Sequence, residues 1–492
     1  MRSSDAEICS LSAARLCELI RRRALSPVEI MEAHLRRAES LNPTLNAVVT
    51  FAPDALEQAR AAERALMSDD NLPPLHGLPL TVKDTIATGG LRTTSGSRVR
   101  AEHVPAEDAP AVARLRAAGA IVFGKTNASE LALDYNADNP VFGRTNNPHD
   151  LERTPGGSSG GCAAAVGACL SPASLGSDLV GSIRIPAHFC GVAGLFPTPG
   201  RVPASGHFPP TEGAFAAGAS LGPLARRIDD LSLLFDALVR ADDDSHNSSH
   251  ANESTHAHEH GQPVSETQLR GLRVAYCMDD GVVRVTEETE RAVESAARAL
   301  ASAGMEAFEA RPPELARATG LWLALFARSV GDVVRAEYAG REAAAGAAVR
   351  ALLRRESEAA PVAPETYADA WAERERLRTS LLERMRETPL VLTPVGAVAA
   401  FAHGARKVSI GDGGEVSTFR AFGCAQACNV FGLPAACVPA GRTREGLPIG
   451  VQIIGRPFDE QLMLAAARVV EDALGGWRLP EIALPSGGGS PL

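Results

Sequence analysis

The stretch LGSDLVGSIRIP, residues 175–186, combines two hydroxyls, Ser177 and Ser182, with an acid, Asp178, and places Gly181 directly ahead of Ser182. A glycine there lets backbone N–H groups turn toward the hydroxyl, which is the layout of an acyl-transfer site. Upstream, RTPGGSSGGCAAAVGA (153–168) sets Ser158 between two glycine pairs, at a turn that leads into a helical run. It lacks the Gly-Lys-Ser/Thr ending of a phosphate-cradling loop and the G-x-S-x-G of a nucleophile elbow. Ser158 reads either as a helix cap or as a hydroxyl that the glycines hold in place.

A serine attacks an amide or ester only with a base beside it. His188 and His207 lie nearest in the chain but in no recognisable triad arrangement. A lysine serves instead if desolvation leaves it neutral near pH 7. Lys83 ends the apolar run LPLTVK and is followed by Asp84. It reads either as that base or as a strand-end lysine paired with Asp84.

The elements that must position these groups are α/β in pattern. Residues 11–68 read as helices, with a capping box at Ser26 and Glu29, Pro27 at the first helical position, and Ile30, His34 and Ala38 at helical spacing. HGLPLTVKDTIA (76–87) reads as a short strand, with Leu78, Leu80 and Val82 on one face and Thr81 and Lys83 on the other. PAVARLRAAGAIVFGKTN (110–127) is a helix, a glycine turn and a buried strand. The alternation returns at 271–279 and in the helix and strand after it, and PLVLTPV (389–395) and LPAACVP (433–439) add two strands. A single α/β domain is expected, with a mixed central β-sheet covered by helices on both faces. ADDDSHNSSHANESTHAHEHGQPVSE (241–266) is low in complexity and carries five histidines; it is expected to be a solvated insertion.

Bulk properties narrow the function classes. Net charge is -10 over 492 residues and aromatics make up 4 %, which disfavours nucleic acid and anionic membranes as partners. The nine cysteines show no zinc spacing and are expected to be buried, reduced thiols. The N-terminus lacks the apolar core of a signal peptide, so a cytoplasmic location is expected and the sequons at Asn247 and Asn252 are silent.

Taken together, GLPLTVKDT, GKTNASELA, RTPGGSSGG and GSDLVGSIRIPAHFCGVAGL resemble the amidase signature family in order and spacing. The tail GLPIGVQIIGRPFDEQLMLAAARVVE is similar to the family's C-terminal segment, so the likeness runs from about residue 10 to about 475. The resemblance implies one amidase domain over 1–492, with a helical region at about 10–68, a catalytic core at about 75–235 and the rest of the sheet at about 270–475. It implies a serine amidohydrolase in which Ser182 is the nucleophile, Lys83 the base and Ser158 the relay, held by a non-proline cis peptide after Gly157. The oxyanion would rest on the backbone N–H groups of Leu179, Val180, Gly181 and Ser182. No cofactor and no metal are implied. The expected partner is a small-molecule amide, with no nucleic acid and no membrane, and a homodimer is left open.

Three residues depart from the family's pattern. Val180 stands where a glycine is usual, Cys162 replaces a serine and Phe196 a lysine. A β-branched residue at 180 is strained only if its φ is positive; otherwise it narrows the acyl pocket, which is the expectation here. Pocket walls are sought in LALDYNADN (131–139), His188-Phe189 and GHFPPTEGAF (206–215). One alternative is the A subunit of the tRNA-dependent glutamine amidotransferase. TFRAFGCAQACNVF (418–431) offers Arg420 but no carboxylate for glutamine's α-amino group, so the plain amidohydrolase is preferred. A catalytically inactive binding protein is the alternative of another class; the intact Lys83, Ser158 and Ser182 argue against it.

Overall fold

The computed structural model describes residues 4–68, 71–239, 264–358 and 364–482. The insertion expected at 241–266, with its histidines and sequons, lies outside the described residues up to position 263.

Eleven strands form one mixed sheet. In chain order they are β1 (Val48–Phe51), β2 (Pro79–Lys83), β3 (Ile121–Thr126), β4 (Ala173–Asp178), β5 (Ala193–Phe196), β6 (Ser220–Ala225), β7 (Arg273–Tyr276), β8 (Glu306–Glu309), β9 (Leu390–Pro394), β10 (Ala435–Arg442) and β11 (Pro448–Ile454). Their order across the sheet is β1-β3-β2-β4-β6-β5-β10-β11-β9-β7-β8. β2 runs parallel to both β3 and β4, whereas β4, β6, β5, β10 and β11 alternate in direction.

The helices that matter for the site are α1 (Pro27–Leu45), α2 (Pro110–Ala117), α3 (Gly160–Gly167), α4 (Arg184–Cys190), α5 (Glu287–Ser302), α6 (Ala318–Tyr338), α7 (Gly423–Phe431) and α8 (Glu460–Leu474). α1 begins as its sequence requires. The Ser26 hydroxyl accepts from Glu29 N–H, and the Glu29 carboxylate accepts from Ser26 N–H in return. α2 feeds β3 through Gly119, whose φ of +93° and close approach to His76 Cα exclude a side chain.

β2 forms where the strand was expected, and all five of its residues are buried. Helices cover both faces of the sheet at this point, so alternation between core and water disappears. The consequence is functional: Lys83 is wholly buried. α3, which follows Ser158, and α4, which follows Ser182, are buried along their whole lengths. Among the described residues, no helix is long and apolar enough to cross a membrane, and all nine cysteines are buried free thiols.

Candidate active site

Adjacent parallel strands bring the lysine to the serines. The register pairs Thr81 with Ser174 and Val82 with Leu175, so the end of β2 lies beside the first half of β4, just ahead of Ser177. Lys83 Nζ lies 2.7 Å from Ser158 Oγ and 2.9 Å from Ser177 Oγ. Among the described residues, no carboxylate pairs with it. The expected alternative, a Lys83–Asp84 pair, is not formed: the Asp84 carboxylate accepts from the Thr94 N–H and hydroxyl, and the hydroxyl bond measures 2.5 Å. A second buried lysine, Lys125, reaches the Ile86 carbonyl and lies 2.6 Å from Thr88 Oγ1, so it too stays apart from the serines. Burial pushes Lys83 down from the usual lysine range to about 7, against weaker upward pulls from Cys162 and Asp178.

Ser158 does not cap α3. Ser159 occupies the cap position, and no side-chain cap bond is made there. The peptide between Gly157 and Ser158 is cis. A Cβ on Gly157 would sit 2.3 Å from the Asp134 carbonyl oxygen, which is why this approach requires glycine. Ser159 ties the loop to the nucleophile segment, its N–H donating to Ser182 O at 3.1 Å and its hydroxyl to Ser177 O at 3.1 Å.

Ser182 stands at the turn between β4 and α4, and its hydroxyl makes no hydrogen bond among the described residues. Gly181 has a φ of +96°, whereas Val180 is not among the residues of positive φ. A Cβ on Gly181 would meet Ile185 Cδ1 at 2.7 Å and Ala425 Cβ at 3.0 Å. Val180 therefore carries no left-handed strain, and its side chain lines the cavity in front of Ser182.

The turn is clamped from outside. Trp322 Nε1–H donates to Leu179 O at 2.9 Å, and Tyr135 O–H donates to Val180 O at 2.8 Å. Because each peptide is trans, these bonds also set the directions of the following N–H groups. The Gly181 N–H donates to Asp178 Oδ1 at 2.7 Å. It is therefore already engaged, and the four donors expected from the family's pattern reduce to three. The N–H groups of Leu179, Val180 and Ser182 have no partner among the described residues.

Asp178, read in sequence only as an isolated acid, organises the turn. It also accepts from Ile183 N–H at 3.0 Å and from Asn429 Nδ2 at 2.9 Å, and forms a fully buried ion pair with Arg184, Nε to Oδ2 3.1 Å. Burial pushes its carboxyl up, but Arg184 and these hydrogen bonds outweigh that and hold it below the usual range. Arg184 in turn donates to Ala425 O at 2.8 Å and to Gln452 Oε1 at 2.9 Å, locking the turn to α7 and β11.

The serines open onto a cavity of about 580 Å³. Its walls are mainly apolar: Leu131, Phe215, Trp322, Val330, Val334 and Phe419 contribute, with Arg406 and Arg420 among the polar side chains. Of the three segments searched in sequence, 131–135 and parts of 207–215 line it. His188-Phe189 does not. The His188 ring receives the Gly450 N–H on Nδ1 and donates from Nε2 to Val398 O, bonds that occupy both nitrogens inside the core. Trp322 and Phe419, in edge contact at 5.1 Å between ring centroids, went unseen in the sequence. They come from α6 and from the residues just ahead of α7, and no local pattern links either to Ser182. Ser177 and His207 were both named in the sequence, one as a hydroxyl without a role and the other as a histidine outside any triad and within a sought pocket wall; their contacts with Lys83 and with each other come only from the fold.

A buried, carboxylate-free lysine beside a serine, next to a second serine under unengaged N–H groups, is an arrangement suited to serine-dependent cleavage of an amide or ester. A family model described as Amidase matches residues 29–464, and the chain belongs to that family, the amidase signature family. It is 36 % identical over 480 residues to the A subunit of a glutamyl-tRNA(Gln) amidotransferase from Thermus thermophilus, covering 92 % of this chain and 95 % of the relative. The corresponding protein of Koribacter versatilis, with the same name, is 32 % identical over 493 residues, covering 96 % and 99 %. A crystal structure of an amidase superposes with a TM-score of 0.82 at 29 % identity, covering 94 % of this chain and 100 % of that one.

Two sequence-based expectations change with these findings. The relatives' names support the amidotransferase alternative better than the plain amidohydrolase that was preferred. The partner expectation, a small-molecule amide with no nucleic acid and at most a second copy of the chain, is overturned, since these relatives are named as one subunit of an enzyme acting on glutamyl-tRNA. Net charge misled here: it is a property of the whole surface and does not report on one interface.

Proposed function

We propose that this chain breaks a carboxylic amide through an acyl-enzyme on Ser182, releasing ammonia or an amine and then, with water, the carboxylate. The observation that carries the reading is Lys83: buried, 2.7 Å from Ser158 Oγ, without a carboxylate partner among the described residues and held near pKa 7. Neutral Lys83 accepts the Ser158 proton as Ser158 accepts that of Ser182. The freed Ser182 oxygen attacks the carbonyl carbon, and the negative oxygen that results is held by the N–H groups of Leu179, Val180 and Ser182. The protons return along the same path to the leaving nitrogen, and water repeats the cycle on the ester. Among the described residues Ser158 and Ser182 are not hydrogen-bonded to each other; such catalytic contacts tighten when a substrate seats.

The apolar walls favour an acyl group without charge, and Val180 narrows the space in which it lies. The second reading, favoured by the names of the relatives, makes glutamine the amide and this chain the ammonia-producing component of an amidotransferase. Its difficulty is local. Asp134 and Asp178 are the carboxylates in the cavity wall, and both are ion-paired, to Arg406 and Arg184.

The test is labelling by a serine-directed fluorophosphonate, followed by a panel of amides that includes glutamine, with ammonia and amine release read separately. Labelling of wild type that is lost in Ser182→Ala is expected, and an unlabelled wild type refutes the amide-cleaving reading. Turnover of apolar amides supports the first reading; ammonia from glutamine alone supports the second.

A further inference from the structure

We propose that His207 is a positioning residue that, through Ser177, aims the lone pair of Lys83 at the Ser158 proton. The inference rests on the amide-cleaving reading above and adds to it a residue outside the three that the family's pattern names.

The direction of each hydrogen bond follows from the one before it. His207 Nδ1 lies 2.6 Å from the Pro209 carbonyl oxygen, which can only accept, so Nδ1 carries the ring proton. Nε2 then presents a lone pair, 2.9 Å from Ser177 Oγ, and the Ser177 hydroxyl must donate to it. With its proton committed to His207, Ser177 meets Lys83 Nζ, 2.9 Å away, only as an acceptor. A neutral amine has two N–H bonds and one lone pair. One N–H goes to Ser177, and the lone pair is left for the proton of Ser158 at 2.7 Å.

Without the imidazole, the Ser177 hydroxyl is free to rotate and donate to Lys83 itself. It then competes with Ser158 for the single lone pair, and proton transfer has to wait for the rotor. His207 suits the task because it stays in one form. Burial, and then the neighbouring Lys83 charge, hold its pKa down at about 3, so it remains a neutral acceptor across the working range.

The backbone carries the ring on the same scaffold as the lysine. Ile86 bridges to His207, Ala87 N–H donates to Gly206 O at 2.8 Å, and Phe208 N–H donates to Thr85 O at 2.8 Å. Thr85, Ile86 and Ala87 closely follow β2, whose last residue is Lys83. The lysine and the group that orients it therefore move as one piece.

The test measures Ser182 labelling by a fluorophosphonate in wild type, His207→Phe, His207→Gln, Ser177→Ala and the double variant His207→Phe/Ser177→Ala, resolving the maximal rate from the half-saturating concentration. His207→Phe is expected to lower the maximal rate about tenfold to a hundredfold with the half-saturating concentration unchanged. His207→Gln, which keeps an acceptor oxygen, recovers much of it. The double variant is no slower than Ser177→Ala alone, because His207 acts through that hydroxyl. Wild-type rates in His207→Phe, or losses that multiply in the double variant, overturn the proposal. Should His207→Phe fail to fold, His207→Leu, alone and with Ser177→Ala, decides by the same criterion. Failure of wild type to label at all refutes the amide-cleaving reading instead, so the two failures are distinct.

Discussion

Replacing Lys83 by methionine tests, through the pH dependence of stability, whether the buried lysine is neutral near pH 7. Burial lowers the Lys83 pKa from 10.5 to about 7 in the folded protein. Between those values the unfolded chain binds more protons than the folded one, so the lysine's penalty on folding shrinks as pH rises. Below about pH 7 the full penalty applies, about 5 kcal/mol at about 1.4 kcal/mol per unit. At pH 9 about 2 kcal/mol of it remains.

A methionine of similar length never ionises, so its packing and lost hydrogen bonds add a constant that pH does not change. The stability of Lys83→Met relative to wild type should therefore fall by about 3 kcal/mol between pH 6 and pH 9. For 492 residues the unfolding entropy is about 1 kcal/mol/K, so the difference in Tm moves by about 3 °C. Paired thermal scans at the two pH values read this directly. The labelling rate of Ser182 in wild type should show the same group, rising about tenfold per pH unit up to about pH 7 and then levelling. A Tm difference that does not change with pH, or a rate still climbing through pH 9, would refute the claim that Lys83 is neutral near pH 7.

Gly181→Ala places a Cβ at φ +96° against Ile185 and Ala425; labelling of Ser182 should fall by about a hundredfold or more, measured beside a thermal scan. Asp178→Asn leaves Arg184 as an uncompensated buried charge, so stability should drop by about 3–5 kcal/mol in urea unfolding, with Ser182 labelling lost in the folded fraction.

Much of the site was legible because its chemistry sits in short segments with strict local demands. Gly157 and Gly181 announce backbone approaches that no other residue permits, and they mark Ser158 and Ser182 as the hydroxyls being placed. Lys83 was legible as a candidate because it ends an apolar strand, and α/β alternation was enough for the mixed sheet. A Lys83–Asp84 pair is disfavoured by the strand itself, because neighbours in sequence along a strand point to opposite faces, but what each side chain meets instead is set by the fold. Lys83 faces the serines while Asp84 turns to Thr94.

What the sequence by itself nominated is the set of candidate groups and the backbone shapes that hold them, since these depend on residue type within a few positions. What only the tertiary structure decided is everything that depends on strand register and on helices brought in from far along the chain. Register set Lys83 beside Ser177, the loop ahead of α3 brought Ser158 to it, and the bridge from Ile86 to His207 completed that chain of hydrogen bonds. The packing of α6 and of the segment ahead of α7 brought Trp322 and Phe419 into the wall of the cavity that Ser182 opens onto. The buried pair of Asp178 with Arg184 took Gly181 N–H out of the donor set. Such contacts join residues too distant in the chain for any local pattern to record them, and they fix how a lysine that sequence could only nominate is desolvated, oriented and matched to a substrate.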